Sequence, residues 1–492
     1  VGLDLEDRAK LTVTLGVLWA FNPANYERYG NASNVLFDFT NRNLSIVVPN
    51  RQSDTVFNAM KDVLFPTIPV RRGNEFSDNL LRNTYNNFAP RVGIAYQLSQ
   101  KTVIRTGYGI FNGFPDVVNF VPSLNPPTRV QYNLIGNNVN PTLLVSTPLV
   151  PNSPLAQAPV NPVMTGRDPN TRPDFTQMYN ISVQRQLPAN MVLEVGYMGN
   201  LSRRVLMVQP VNDAYPALPN DSSNPQTRRR VTTLLGPINY LTPSGYSNYN
   251  AMIVSVDKRF SQGLAVVGSF TWSRSLGMAP AITEGINGFS IQDPSNLARE
   301  YGPLEYDIVR RFVTSALYEL PFGRGKRFLG TTSRAMDLIA GGWQLNAITT
   351  LQAGFPLTPT LSYSLGKTDT VSRPNLVGDP TASARQPYNW LNASAFAIPT
   401  NAEIQAGNFF GNQGVNVVRA PGMVNLDLSV FKNFAIREGM KLQFRTEIFN
   451  ATNTPFFGAP GSVGLVLGTP NFGRVTSAGE PRIIQFALKF LF

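Results

Sequence analysis

Apolar and polar residues alternate with period two along most of this chain. In 482–492, Ile484, Phe486, Leu488, Phe490 and Phe492 share one parity, while Gln485, Ala487 and Lys489 hold the other together with Leu491. In 441–450, Leu442, Phe444, Thr446 and Ile448 oppose Gln443, Arg445 and Glu447. In 424–434, Leu426, Leu428 and Val430 oppose Asn425, Asp427 and Ser429, and near the start Leu11, Val13, Leu15, Val17 and Trp19 oppose Thr12, Thr14 and Gly16. Successive side chains of a strand point to opposite faces, so this pattern predicts strands that are apolar on one side. Further strands are predicted over 88–98, 102–111, 175–187, 191–200, 249–260, 264–273, 308–320 and 342–352, about twelve in all. Most run roughly 10–13 residues, about twice the usual soluble strand. That is the length a tilted strand needs to cross a bilayer.

The connections are sorted by length. Short ones at 99–101, 188–190, 261–263 and 435–439 alternate with long Pro-, Asn- and Gly-rich ones at 21–87, 114–174, 201–248, 274–307, 353–423 and 451–481. Only 321–341 is intermediate. An outer-membrane barrel has short periplasmic turns and long outer loops, whereas a soluble sandwich has no reason to sort its loops by strand end. The expected fold is all-β: an antiparallel up-and-down transmembrane β-barrel, with 1–492 as one barrel domain.

Composition agrees with alternation rather than with apolar blocks. Charged residues make up 15% of the 492, against about 25% in an ordinary soluble domain, and mean hydropathy is −0.10. No apolar run approaches the roughly 18 residues of a membrane helix. Cys and His are both absent, which excludes disulfides, thiolate or imidazole metal sites and Ser-His-Asp or Cys-His catalysis. The net charge of +12 is scattered, and its tightest cluster, Arg228-Arg229-Arg230, sits in a Pro/Asn/Ser-rich loop. Nucleic acid is therefore not an expected partner; basic groups in a pore or near an anionic surface are the better reading.

A barrel strand meets lipid with one face and a wet or plugged lumen with the other. Arg91, Arg105, Glu194, Asp257, Gln443, Arg445 and Glu447 fall on polar faces and are expected to face the lumen. Trp19, Tyr96, Trp272 and Trp343 lie near strand ends, as interfacial girdle aromatics do. Glu194, Asp257 and Glu447 could be taken for acid–base carboxylates. Asp257 and Glu447 have Arg259 and Arg445 two residues away, so a ladder of lumen charges is favoured over chemistry.

Several segments resemble a known family. Asn87-Phe-Ala-Pro-Arg-Val-Gly-Ile-Ala-Tyr96 followed by Val103-Ile-Arg-Thr-Gly-Tyr-Gly-Ile-Phe111 resembles a strand pair of TonB-dependent outer-membrane receptors, most closely the Oar-like group. Tyr249-Asn-Ala-Met-Ile-Val-Ser-Val-Asp-Lys-Arg-Phe260, Gly341-Gly-Trp-Gln-Leu-Asn346 and Phe444-Arg-Thr-Glu-Ile-Phe-Asn450 are similar to the same group. The end, Phe486-Ala-Leu-Lys-Phe-Leu-Phe492, resembles the terminal strand that the barrel-assembly machinery reads, and Ile484, Phe486, Leu488, Phe490 and Phe492 are its residues here. The resemblance implies a 22-stranded barrel, a plug and an N-terminal segment that engages the TonB energy-transducing complex. It also implies, for the Oar-like group, an N-terminal carboxypeptidase-regulatory-like domain. No plug, no such segment and no such domain is visible, so the chain is expected to be the C-terminal part of a barrel. On that reading 10–20 and the last strand are edges whose partners lie upstream. A twelve-stranded barrel closing on itself is the geometric alternative.

Three motifs invite chemistry and decline it. Gly107-Tyr-Gly-Ile-Phe-Asn-Gly113 lacks dinucleotide spacing and sits in a strand pattern, where small residues leave room for a plug or close neighbour. Gly323-Arg-Gly-Lys-Arg327 is read as a basic periplasmic turn, not a phosphate loop. Ser364-Leu-Gly-Lys367 fits S-x-x-K but lies in a loop without partner motifs. No enzyme and no cofactor is expected. The resemblance implies an energy-coupled outer-membrane transporter whose long loops, 114–174 and 353–423 above all, capture an unidentified small-molecule, saccharide or peptide ligand. The alternative is an adhesion or surface-export barrel whose loops bind partners.

Overall fold

The computed structural model describes residues 2–7, 10–21, 26–113, 117–129, 161–215, 224–278, 291–361, 372–406, 408, 410–437, 439–461 and 463–492. Its main sheet is a meander of thirteen long strands. They are β1 (Gly2–Asp7), β2 (Leu11–Trp19), β3 (Phe88–Ser99), β4 (Thr102–Asn112), β5 (Phe175–Leu187), β6 (Met191–Pro210) and β7 (Ile238–Ser261), then β8 (Leu264–Met278), β9 (Arg310–Glu319), β10 (Trp343–Gln352), β11 (Met423–Arg437), β12 (Met440–Phe449) and β13 (Ile483–Leu491). Each pairs antiparallel with the next. All twelve expected strands are present. Among the described residues no pairing joins β1 to β13.

Three expectations about strand ends change. Leu11–Trp19 is not a sheet edge, because β1 pairs along it from Gly2↔Gly16 to Asp7↔Leu11. The strands expected at 191–200 and 249–260 run on to Pro210 and back from Ile238. Pairing continues past the membrane length because each strand keeps its partner: Val208 lies opposite Leu241 and Pro210 opposite Asn239. The change of surroundings is marked by bulges between Arg203 and Met207, with Arg204 at φ +59°, since an extra residue bends and twists a ladder.

The register carries one parity across the sheet. Val13, Ile94, Thr106, Ile181, Tyr197, Met252 and Trp272 form one continuous row. Thr14, Gly93, Gly107, Asn180, Met198, Ala251 and Ser273 form a row on the other face. The apolar face is left uncovered by protein: Ile181 is 50%, Trp272 57% and Phe486 66% exposed. In water that would be a large cost, but lipid is the medium that makes such a face stable. Among the described residues no helix is long and apolar enough to cross a membrane. The tight turns lie at one rim. Gln262 and Gly263, at φ +52° and +78°, close β7 onto β8, the paired left-handed geometry whose twist matches a hairpin.

The buried core lies elsewhere, beyond the opposite rim. Short strands Asn34–Asp38, Asn43–Val48, Val70–Arg72 and Met164–Arg167 pair with one another and, through Met164–Arg167, with the extended end of β7. Val35, Ile46, Val48, Met60, Phe65, Met164, Leu235 and Ile238 pack there as one cluster. A second cluster gathers Leu391, Ala395, Phe396 and Val418 from the segment between β10 and β11, with Phe472 against it. The long connections thus build a structured head, where the sequence suggested mainly loops.

Candidate functional site

Two adjoining clefts open in this head, and Arg230 and Ser295 line both. The first, a cavity of about 580 Å³, also has Phe39, Arg42, Asp168, Gln209 and Thr242 in its wall. The second, about 390 Å³, adds Tyr215, Asp293, Arg299, Glu403 and Asn412.

Arg230 is placed by the chain around it. Residues 211–215 and 224–237 fold about the amide of Asn212, which is fully buried. Its Nδ2 donates to the carbonyls of Thr232, Leu235 and Gly236, and its Oδ1 accepts from the backbone N–H groups of Val231 and Thr232. Arg229 Nη1 donates to the Asn212 carbonyl at 3.1 Å. Arg230 is turned the other way, its side chain 7% exposed and 3.8 Å from Asp293. Its Nη1 donates to Ser295 Oγ at 2.6 Å, and its guanidinium lies 4.8 Å from the Tyr215 ring centroid and 5.9 Å from that of Phe410. Its Nε is buried with no hydrogen-bond partner among the described residues. Opposite it, Gln209 Nε2 donates to Thr242 Oγ1 at 2.6 Å, and Arg42 Nη1 to Tyr215 Oη at 3.2 Å.

Buried ion pairs tie the loops of the head to one another. Arg373 meets Glu300 bidentately at 2.7 and 3.0 Å, with both side chains nearly inaccessible. Gln292 closes that network, accepting from the Arg373 backbone N–H and donating to the Gly411 carbonyl. Asp307, wholly buried, accepts from Arg419 and from the Ser275 backbone N–H. Glu403 caps helix α1 (Asn401–Gln405), and the Thr400 backbone and hydroxyl donors hold its carboxyl below the usual range. Burial pushes the Arg167 guanidinium down to about 10. Arg42, Arg230 and Arg299 balance Asp168, Asp293 and Glu403, so the clefts offer mixed donors and acceptors with little net charge.

The seven polar-face residues named from sequence all carry the same parity in the register. Arg91 lies opposite Gly16 and Gly109, its guanidinium 4.3 Å from the Phe111 ring centroid. The glycines Gly16, Gly93, Gly107 and Gly109 line a hollow of about 520 Å³ beside it. Arg105 Nη1 donates to Gln184 Oε1 at 2.6 Å, and Gln184 lies opposite Glu194. Asp257 sits opposite Val192 and Val267 on separate strands. Gln443, Arg445 and Glu447 do come together: Gln443 donates to Asn433 at 2.8 Å, Arg445 to Gln443 at 2.6 Å, and Arg445 approaches Glu447 to 4.0 Å. Val267, Met178 and Met198 interrupt this face with exposed apolar side chains.

Trp19, Tyr96, Trp272 and Trp343 share the opposite parity, Trp19 and Trp272 toward the head and Tyr96 and Trp343 toward the tight turns. Ile484, Phe486, Leu488 and Phe490 pair with Ile448, Thr446, Phe444 and Leu442, and Phe492 follows the strand, 94% exposed. The Ser364-Lys367 motif lies outside the described residues. Sequence reasoning did not find Arg230, Asn212, Asp293 or Glu403 as a site; its one signal was the Arg228-Arg229-Arg230 run.

The family model of the outer membrane beta barrel domain matches residues 8–485. No curated protein matches. Similar solved structures include the FpvAI–pyocin S2 complex at 9% identity and TM-score 0.43, covering 100% of this chain and 38% of that one. The outer membrane transporter YddB from Escherichia coli gives 10% and 0.42, covering 85% and 42%. The siderophore receptor PiuA from Acinetobacter baumannii gives 9% and 0.42, covering 98% and 41%. The chain thus spans about two fifths of the length of these structures.

Proposed function

The chain belongs to the outer membrane beta barrel domain family, and from that premise we propose that it is the barrel part of a receptor that captures a polar ligand at its head for energy-coupled uptake. The observation that carries the reading is Arg230, whose guanidinium stands in the shared wall of two polar clefts. On this reading the polar face lines the lumen. Arg91, Arg105, Glu194, Asp257, Gln443, Arg445 and Glu447 solvate that wall or contact a plug, and the glycine hollow beside Arg91 gives a plug room. Trp19, Tyr96, Trp272 and Trp343 sit at the two interfaces. The strand from Ile484 to Phe492 is the part the barrel-assembly machinery reads. The TonB complex is the energy-transducing partner, engaged through a part of the protein outside this chain.

The test is retention of labelled ferric siderophores, oligosaccharides and short peptides by cells making the full-length protein, with and without the energy-transducing complex. Accumulation of one class that needs the complex and falls at least tenfold in Arg230→Ala supports the reading. No complex-dependent accumulation of any class overturns it. The head's own packed core favours a second reading, an adhesion or export barrel. A full-length gene lacking a plug and a partner-binding segment would favour that instead.

A further inference from the structure

Among the tight-turn-rim connections of the main sheet, 320–342 is unlike the others. It is a folded element, where 100–101, 188–190 and 262–263 are tight turns. Phe328 N donates to the Pro321 carbonyl and Gly323 N to the Phe328 carbonyl, and the Phe322 and Phe328 ring centroids stand 5.6 Å apart. Ser333 caps helix α2 (Arg334–Ala340, preceding α1 in the chain), and Asp337 Oδ1 accepts from the Arg324 backbone N–H at 2.7 Å.

This element is fastened to the apolar face of the sheet. Trp343 and Lys432 lie opposite each other in the register on that face. Trp343 Nε1 donates to the Ile339 carbonyl at 2.8 Å, and Lys432 Nζ donates to the carbonyls of Ile339 and Gly341. Two apolar-face side chains thus hold the last turn of α2, so it leaves the sheet on the side that meets lipid. Among the described residues nothing covers it there. Met336, Leu338, Phe328 and Leu329 are exposed, and Ile339 is 70% exposed. The charge around them is one-sided: Arg324, Lys326, Arg327 and Arg334 against Glu319 and Asp337. Exposed apolar groups ringed by cations, continuous with a lipid-facing surface, are what an interfacial anchor on an anionic membrane needs.

We propose that 320–342 is a membrane anchor that binds anionic phospholipid headgroups in the leaflet at the tight-turn rim. Met336, Leu338 and Ile339 enter the tops of the acyl chains. Arg324, Arg327 and Arg334 hold the headgroup phosphates above them. The anchor fixes the depth of the β9–β10 side of the wall.

The test uses the full-length protein in vesicles of phosphatidylcholine, with and without phosphatidylglycerol. This chain has no Cys, so once any Cys elsewhere in the full-length protein is replaced by Ser, Ile339→Cys and, in the head, Tyr388→Cys can each carry an environment-sensitive fluorophore. The expected result is iodide quenching about tenfold weaker at 339 than at 388, and quenching of 339 by lipids brominated near the headgroup. In the R324Q/R327Q/R334Q variant, phosphatidylglycerol retained in native mass spectra should fall by about fivefold or more, as expected for loss of basic residues at an anionic surface. Heat-resistant migration shows whether that variant is folded, and the 339 probe reports independently of it. Free iodide access to 339 in both vesicles overturns the proposal. So does retention of phosphatidylglycerol that the triple substitution leaves unchanged, or shielding of 339 that arises only on adding a periplasmic protein.

Discussion

The wall and the head of this molecule are stabilised in opposite ways. The wall exposes its large apolar side chains on one whole face and puts little into a protein core; its strands are joined by neighbour-to-neighbour ladders, each pairing with the next in the chain. The head buries its apolar residues, as a water-soluble domain does, and ties distant loops with buried ion pairs and side-chain amides. The contrast follows from the solvent. Lipid accepts apolar side chains but no unpaired backbone group, so the wall must satisfy its backbone and is free to expose its side chains. Water accepts both backbone and charge, so the head must hide apolar area instead.

The largest effect should come from breaking a head ion pair. Glu300→Ala leaves Arg373 buried without its carboxylate, which costs about 3–5 kcal/mol. Limited proteolysis should then cut the head faster while heat-resistant migration of the barrel is kept. Loss of both together would show that wall and head are one cooperative unit. Next come neighbouring substitutions on opposite faces of β7. Val254→Arg puts a charge on the lipid side and should cost about 2–4 kcal/mol in denaturant-induced unfolding from vesicles. Ser255→Arg, beside Glu194 on the polar face, should change stability by no more than about 1 kcal/mol. Equal costs would break the assignment of the two faces.

The smallest effect concerns the α1 cap. Donors from Thr400 hold the folded pKa of Glu403 below its ordinary value of 4.5. A lowered folded pKa means the cap's contribution is complete above that ordinary value and fades as pH falls through the lowered one. Proteolysis near 401–405 should therefore be flat from pH 7 down to about 5 and rise only in stronger acid. Glu403→Gln should remove the acid-dependent step. A step near neutral pH would place its cause elsewhere.

The wall was legible because its rule is local. A strand sends adjacent residues to opposite sides, so Leu442 and Gln443, or Phe486 and Ala487, declare their faces without knowledge of any partner. The alternation of short and long connections follows from the up-and-down path. Even there, strand length beyond the bilayer was not readable: Leu201–Pro210 and Ile238–Asn248 lose the alternation, and only the partner across the ladder keeps them extended. The β1 segment alternates Leu3 and Leu5 with Asp4 and Glu6 over only six residues, and it is a strand because β2 lies beside it.

The head obeys no such period. Glu300 and Arg373 are 73 residues apart, Asp307 and Arg419 are 112, and Asn34 reaches the Arg167 carbonyl across 133. Nothing adjacent to any of these residues marks it, because a buried charge is made tolerable by a partner that only folding brings near. Arg230 stood in the sequence as one of three arginines in a polar loop; Asn212, Tyr215, Ser295 and Phe410 turned it into the wall of a site. The sequence by itself determined an alternating all-β wall with two unlike faces, since that depends on neighbours in the chain. The tertiary structure alone decided where the clefts lie, since that depends on neighbours in space.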